Sequence, residues 1–279
     1  MRIVALTSFL PAYLRLEAWA ERNEHEIVLV VTPPVGANQR YDAAARPFVL
    51  DLPESANVLI TGKLRSVAAP AIAALEPDLV VSMAFPRLIP AEILDVPAYG
   101  AYNLHPSPLP AGRGPNPIRL VYEGAETIGA TLHRTEAGFD TGAIMAQRER
   151  PLPADLTGAA IFQAWGEMLS EVLEEGTAKA FARDPGVPQD PALASQAPVF
   201  TEAERWLDLT EPAAVIRRKA AALNVTSVTA RTPIQGAEVF VREVRIEPSA
   251  GLTPGTVIDK HPDGWTVQAA DAVVHLVAE

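Results

Sequence analysis

The chain has 279 residues, which is long for a single domain and comfortable for two. Hydrophobic residues make up 48% of it and charged residues 20%, which predicts a soluble globular protein with a substantial core. A formal net charge of −11 argues against a general nucleic-acid binder, and the absence of cysteine excludes disulfides, thiolate metal ligands and a cysteine nucleophile. The longest apolar runs are strand-sized, so we expect no membrane span. We also expect no metal site and, as the default, a cytoplasmic location.

The first part of the chain alternates short apolar strands with helical stretches. Strands are predicted at Arg2–Thr7, Glu26–Thr32, Asn57–Ile60, Asp78–Ser82 and Gly100–His105, with helices at Pro11–Arg22 and Ser66–Leu75. Such alternation implies right-handed crossovers and a parallel sheet covered on both faces, so the predicted fold is an α/β Rossmann-like sheet. No Gly-x-Gly-x-x-Gly motif follows the first strand, so NAD is not expected as a cofactor.

The later part of the chain predicts a second, smaller domain. Two more strands and an amphipathic helix complete the first domain, at Ile128–His133, Ala143–Arg148 and Thr157–Lys179. We assign 1–183 to a catalytic domain, 184–200 to a linker rich in turn-forming residues, and 201–279 to a C-terminal domain. A helix at Pro212–Leu223 and short alternating strands predict a small OB-like β-barrel there, with strands at Glu238–Ile246, Gly255–Ile258, Gly264–Ala269 and Ala272–Val277.

The most informative motif lies at the end of the predicted Gly100–His105 strand. It reads Asn-Leu-His-Pro-Ser-Pro-Leu-Pro over Asn103–Pro110, and Asp140 follows in a Gly-Phe-Asp-Thr-Gly bend. Residues two apart in a strand point to the same side, so Asn103 and His105 can converge on one atom of a ligand. Ligands of such sheets bind beyond the carboxyl ends of the strands, where Phe85–Leu88 should line the same crevice.

These motifs resemble those of the formyltransferases that use 10-formyltetrahydrofolate, in residue type, order and spacing. That family includes methionyl-tRNA formyltransferases and enzymes that formylate small molecules. The resemblance covers nearly the whole chain and implies that Asn103, His105 and Asp140 are catalytic. It also implies that a reduced folate, the formyl donor, is held by residues of three segments: Phe85, Arg87 and Leu88; Ser107, Pro108, Leu109 and Pro110; and Leu132 and Gly138.

The residues suit that chemistry. When an amine attacks a formyl carbon, the carbonyl oxygen becomes negative, the amine loses a proton and the leaving nitrogen gains one. Asn103 offers an uncharged donor to the oxyanion, and His105 can donate a hydrogen bond or move protons near neutral pH. Asp140 can hold His105 in its useful protonation state or accept protons through water.

The other histidines carry weaker signals. We interpret His133, on a separate strand, as a structural residue or a support to the catalytic residues. His25, His261 and His275 lie in no recognisable cluster, so we expect them to be surface or core residues.

The acceptor is predicted to be a small biosynthetic amine or hydroxylamine, such as an amino-sugar nucleotide or N-hydroxyornithine. The tRNA enzymes of the family carry an aromatic-proline-glycine segment where Val225–Val228 follows Asn224, and a longer basic insertion where Pro33–Leu52 has only Arg40 and Arg46. Only four lysines occur in the chain, although phosphate neutralisation supplies much of the affinity for tRNA.

Three alternatives stay open: initiator methionyl-tRNA as acceptor, transfer of formyl to water, and a non-catalytic folate- or nucleotide-binding protein. Acceptor specificity is expected in Thr7–Tyr13, Pro33–Leu52 and Pro115–Glu123, where no motif identifies the substrate. The sequence leaves the oligomeric state open, a homodimer included.

Overall fold

The computed structural model describes residues 1–34 and 48–279. Most of the Pro33–Leu52 segment, including Arg40 and Arg46, therefore lies outside the described residues.

A mixed sheet forms the first part of the molecule. Within the described residues it has seven strands in the order β3-β2-β1-β4-β5-β6-β7. The strands are β1 (Arg2–Leu6), β2 (Glu26–Thr32), β3 (Val58–Ile60), β4 (Leu79–Met83), β5 (Ala101–His105), β6 (Thr127–Arg134) and β7 (Ile144–Pro151). The pairs from β3 to β5 are parallel, which confirms the predicted Rossmann-like sheet. β6, however, runs antiparallel to β5, with Asn103 opposite His133.

Helices lie between the strands where the apolar spacing predicts them. α1 (Leu10–Arg22) has a proline in its first turn, where a missing amide hydrogen costs no helical bond. It buries Tyr13, Leu16 and Trp19, which lie three residues apart on one face. The predicted Ser66–Leu75 helix begins earlier, with a π-helical turn at Leu64–Ala68 that continues as α2 (Ala69–Ala74).

The long predicted helix is α5 (Gly158–Phe181). A side chain at Gly176 would collide with Leu132 of β6, so glycine permits close packing of the helix on the sheet. Two short helices had no sequence signal, namely α3 (Ala91–Leu94) and α4 (Arg119–Glu123). Four or five residues are too few to show a helical period.

The C-terminal strands form a second, antiparallel sheet. In the described part of the chain it has five strands in the order β10-β11-β12-β9-β8. They are β8 (Arg231–Ile234), which we did not predict, β9 (Ala237–Glu247), β10 (Val257–His261), β11 (Gly264–Gln268) and β12 (Val273–Ala278). Together with α6 (Ala213–Leu223) they enclose an apolar core that includes Ile216, Leu223, Val241, Val267 and Leu276.

Contacts divide the described chain into two compact units, each built from three separate segments of the chain. The first contains Met1–Arg113, Ala130–Arg148 and Met168–Ser195. The second contains Gly114–Gly129, Glu149–Glu167 and Gln196–Glu279. All the predicted catalytic residues belong to the first unit, and so does most of the segment predicted as a linker.

Candidate active site

The amide of Asn103 is fixed by three neighbours. Its Oδ1 accepts a hydrogen bond of 2.8 Å from the hydroxyl of Ser82, on the adjacent strand β4. This bond sets the orientation of the amide, so its NH2 group points to the opposite side. That NH2 group lies 3.2 Å from Nε2 of His133 and 3.4 Å from Oδ1 of Asp140. The bond to Asp140 is long and therefore the easier one for a ligand oxygen to replace.

His105 lies between two hydrogen-bond acceptors. Its Nε2 is 2.9 Å from the carbonyl oxygen of Gly112, and its Nδ1 is 3.6 Å from Oδ1 of Asp140. The residue is 5% exposed, and this burial lowers the pKa of the imidazole below its ordinary value, against the opposing effects of Asp140 and Gly112. The resting ring is therefore neutral at pH 7, with its proton on Nε2 shared with Gly112.

Asp140 lies in the turn between β6 and β7 with its side chain 11% exposed. Its φ of 55° is left-handed, a conformation that aspartate tolerates better than most residues. Two residues on, Gly142 passes the carbonyl of Arg134 so closely that a Cβ atom would collide with it. The Asp-Thr-Gly sequence thus permits the turn that brings the carboxylate to both His105 and Asn103.

His133 completes the cluster. It is 2% exposed, and its Nδ1 is 2.8 Å from the carbonyl oxygen of Arg134, which assigns the proton to Nδ1. Nε2 then accepts from the Asn103 amide and lies 3.5 Å from Asp140. This contact arises because His133 and Asn103 are paired across the antiparallel strands. The register could not be read from the sequence, which indicated only that His133 was structural or supporting.

The Ser107–Pro110 segment is held by two polar side chains behind it. Thr131 donates from its hydroxyl to the carbonyl of Ser107 at 2.7 Å, and Gln147 donates to the carbonyl of Leu109 at 2.7 Å. The peptide between Leu109 and Pro110 is cis. Ser107 and Leu109 are buried, whereas Pro108 and Pro110 are half-buried. The segment is therefore a fixed wall, in which the two prolines are the more accessible residues.

The remaining predicted folate residues differ in accessibility. Phe85, Arg87 and Leu88 follow β4, whose carboxyl end lies beside that of β5. Leu88 is 47% exposed, and Nε of Arg87 is buried without a hydrogen-bond partner among the described residues. Gly138 is exposed, whereas the side chain of Leu132 is fully buried beneath α5, which leaves only its backbone for a ligand.

His261 and His275, for which the sequence showed no cluster, lie close together in the C-terminal sheet. Their rings lie 5.0 Å apart, and both approach the hydroxyl of Thr266. The antiparallel register of β11 and β12 places Thr266 opposite His275, which the sequence spacing does not reveal. Within residues 1–34 and 48–279, no group of three or more His, Asp or Glu side chains is arranged to hold a metal ion, and no helix could span a membrane.

The structure thus combines a Rossmann-like sheet, an Asn-His-Asp cluster at the carboxyl end of β5, and a small antiparallel C-terminal domain. The formyl transferase family model matches residues 1–175, and the formyl transferase C-terminal domain matches residues 200–278. The chain belongs to the formyl transferase family.

The sequence relatives include methionyl-tRNA formyltransferases. The one from Roseiflexus sp. is 33% identical over 285 residues, covering 99% of this chain and 87% of the relative. The one from Pseudomonas paraeruginosa is 32% identical over 258 residues, covering 90% of this chain and 82% of the relative.

Solved structures share the fold at lower identity. HypX from Aquifex aeolicus in complex with tetrahydrofolic acid superposes with a TM-score of 0.73 at 20% identity, over 99% of this chain. This chain spans 43% of HypX, less than half of its length. An N-formyltransferase from Helicobacter canadensis, in complex with folinic acid and dTDP-3-aminofucose, has a TM-score of 0.68 at 13% identity, covering 100% of this chain and 99% of that one.

Proposed function

We propose that the protein transfers a formyl group from 10-formyltetrahydrofolate to the nitrogen of a small biosynthetic amine or hydroxylamine. The observation that carries the proposal is the convergence of Asn103, His105 and Asp140, from two distant motifs, on one cluster. Family membership supports the formyl donor, and the fold is shared with structures solved with folates.

The cluster can perform the two tasks that the reaction sets. The Asn103 amide, in exchanging its long bond to Asp140 for the formyl oxygen, would stabilise the negative charge that develops there. Neutral His105 would take a proton at Nδ1 from the attacking amine, directly or through water, and would return a proton to N10 of the folate as the bond between N10 and the formyl carbon breaks. The imidazolium so formed has an acceptor at each nitrogen, Gly112 at Nε2 and Asp140 at Nδ1, and these would stabilise its transient positive charge.

Charge argues for a small acceptor rather than tRNA. Residues 201–279 contain eight Lys and Arg against eleven Asp and Glu, a formal net charge of −3. Several of these cations are already paired with carboxylates: Lys219 with Glu211, Arg231 with Glu238, and Arg245 with Glu243. A surface that binds a polyanion needs cations available to neutralise phosphates.

The segment after α6 has its own hydrogen-bonded structure. Asn224 accepts from the amides of Thr229 and Ala230 and donates to the carbonyl of Val241, so it closes a compact turn. The Val225–Val228 segment, which differs from the tRNA enzymes, thus forms part of a closed local structure.

Initiator methionyl-tRNA remains the second candidate. The observation that favours it is the identity of 30–33% with methionyl-tRNA formyltransferases over most of the chain. Both candidates use the same donor and the same cluster, so only the acceptor separates them.

Binding of 5-formyltetrahydrofolate, a stable analogue of the donor, should raise the melting temperature of the protein. A ligand that binds only the folded state stabilises it by about 2.7 kcal/mol at a hundred times its Kd. Differential scanning fluorimetry with and without the analogue measures the effect. Absence of a shift at saturating ligand would contradict the folate proposal.

A pair of glutamine variants tests where the folate lies. Gln147→Leu removes the bonds that hold the Ser107–Pro110 segment and should reduce the ligand-induced shift. Gln163→Leu, at an exposed position of α5, serves as the matched control and should keep the full shift. An undiminished shift in Gln147→Leu would contradict the placement of folate along that segment.

A further inference from the structure

Residues 189–195, part of the predicted linker, contact both loops that hold His105. We call this segment the brace. Gln189, at one end, binds the turn that carries Asp140, and Ser195, at the other end, binds the loop that carries Gly112. Asp140 faces Nδ1 of His105, and Gly112 faces Nε2. The brace therefore fixes Asp140 and Gly112, the partners of the two ring nitrogens, through hydrogen bonds to their loops.

The side chain of Gln189 uses both ends of its amide. Nε2 donates to the carbonyl oxygens of Asp140 and Gly142, at 2.9 and 2.8 Å. Oε1 accepts from Nε and Nη2 of Arg113, at 3.1 and 2.7 Å. These bonds require two N–H donors and one oxygen acceptor in a single planar group, and among side chains only an amide supplies them.

Ser195 ties the second loop by main-chain and side-chain bonds. Its Oγ accepts from the amide of Gly112 at 2.9 Å, and its carbonyl accepts from the amide of Arg113 at 2.9 Å. Its own amide donates to Pro110 at 3.3 Å. The peptide between Gly112 and Arg113 is therefore held at both ends. Its NH group donates to Ser195, and its carbonyl faces His105.

The backbone of Asp140 explains why such support is needed. A left-handed backbone is strained for a residue other than glycine and persists where its surroundings over-determine it. Gln189 binds the carbonyls on either side of Thr141, so it holds the turn at the point of strain.

We propose that Gln189 is a positioning residue for formyl transfer, which keeps Asp140 within reach of His105 through two donated hydrogen bonds. The proposal rests on the proposed function for its kinetic consequence, but its structural consequence can be measured without an acceptor.

The decisive variant is Gln189→Glu. It keeps the shape and the acceptor for Arg113, but it removes both donors and sets a carboxylate against two carbonyl oxygens. We expect kcat to fall roughly 10- to 100-fold while KM for 10-formyltetrahydrofolate stays within about twofold. Gln235→Glu, the same change in an exposed turn, is the matched control and should leave kcat unchanged.

Hydrogen exchange of residues 135–142 provides the readout that needs no activity. Exchange should be faster in Gln189→Glu than in the wild type and unchanged in Gln235→Glu. If the wild type transfers no formyl group but exchange responds as expected, the proposed function fails, while the role of Gln189 in holding the turn of Asp140 beside His105 stands. Native kcat and native exchange in Gln189→Glu would overturn the positioning role, whatever the acceptor.

Discussion

Replacing His105 with alanine, or Asp140 with asparagine, should lower kcat by roughly 100- to 10,000-fold, because each change removes a proton-transfer partner. Asparagine has the shape of aspartate and tolerates the left-handed backbone at position 140. It leaves the carbonyl that Gln189 binds in place. The loss in Asp140→Asn should therefore report the missing negative charge rather than a changed turn.

Steady-state rates and the 5-formyltetrahydrofolate melting shift should be measured side by side. Both variants should still bind the folate analogue. His261→Ala and Asp259→Asn make the same kinds of change in the C-terminal sheet and should keep native turnover. Near-native kcat in His105→Ala or Asp140→Asn would contradict the assigned mechanism, even if the folate is bound as proposed.

The pH dependence of the wild-type enzyme follows from the environment of His105. Burial lowers its pKa below the ordinary 6.5, so the ring stays neutral and able to accept a proton down to that pH. The acid limb of the turnover profile should therefore have its midpoint below pH 6.5, as imidazolium accumulates. This limb of the profile should be absent from the residual activity of His105→Ala.

Replacing Asn103 with alanine should lower kcat by roughly 100- to 1,000-fold, the range seen when an oxyanion donor is removed. The change also leaves the Ser82 hydroxyl and Nε2 of His133 without their amide partner, which should reduce the free energy of unfolding by about 1–3 kcal/mol. Urea unfolding measures the loss of stability and shows under which conditions the variant is fully folded. The loss of kcat is then measured under those conditions, so the two effects are separated.

Asn57→Ala is the matched control for that variant. Asn57 precedes β3 and makes a long, weak bond of 3.4 Å to Val28, so its loss should change neither kcat nor stability appreciably. A fully active Asn103→Ala enzyme would show that the formyl oxygen is stabilised by another donor.

The sequence predicted those parts of the site that depend on local spacing. Asn103 and His105 lie two apart in a strand, and this alternation alone places them on one side of β5. Asp140 was indicated by the family resemblance of its Gly-Phe-Asp-Thr-Gly bend, and the structure places its carboxylate beside His105 and Asn103. The ends of β4, β5 and β6 were predicted within one residue, whereas β7 extends three residues beyond the predicted Arg148.

The parts that were missed depend on pairing between distant segments. His133 meets Asn103 only because β6 runs antiparallel to β5 in one register. Gln189 and Ser195 lie in a stretch with no apolar period, which indicates a linker, whereas their hydrogen bonds hold the loops that carry Asp140 and Gly112. Single polar residues in irregular segments have no periodic pattern that could reveal such contacts.

The most direct test of the central claim is a formyl-transfer assay with 10-formyltetrahydrofolate and a set of acceptors at low and high salt. The set contains amino-sugar nucleotides, N-hydroxyornithine and charged initiator methionyl-tRNA. We predict turnover of a small amine or hydroxylamine with a shallow dependence on salt, because a small acceptor requires few neutralised phosphates. Efficient formylation of the tRNA that falls steeply with salt, with no turnover of any small acceptor, would contradict it.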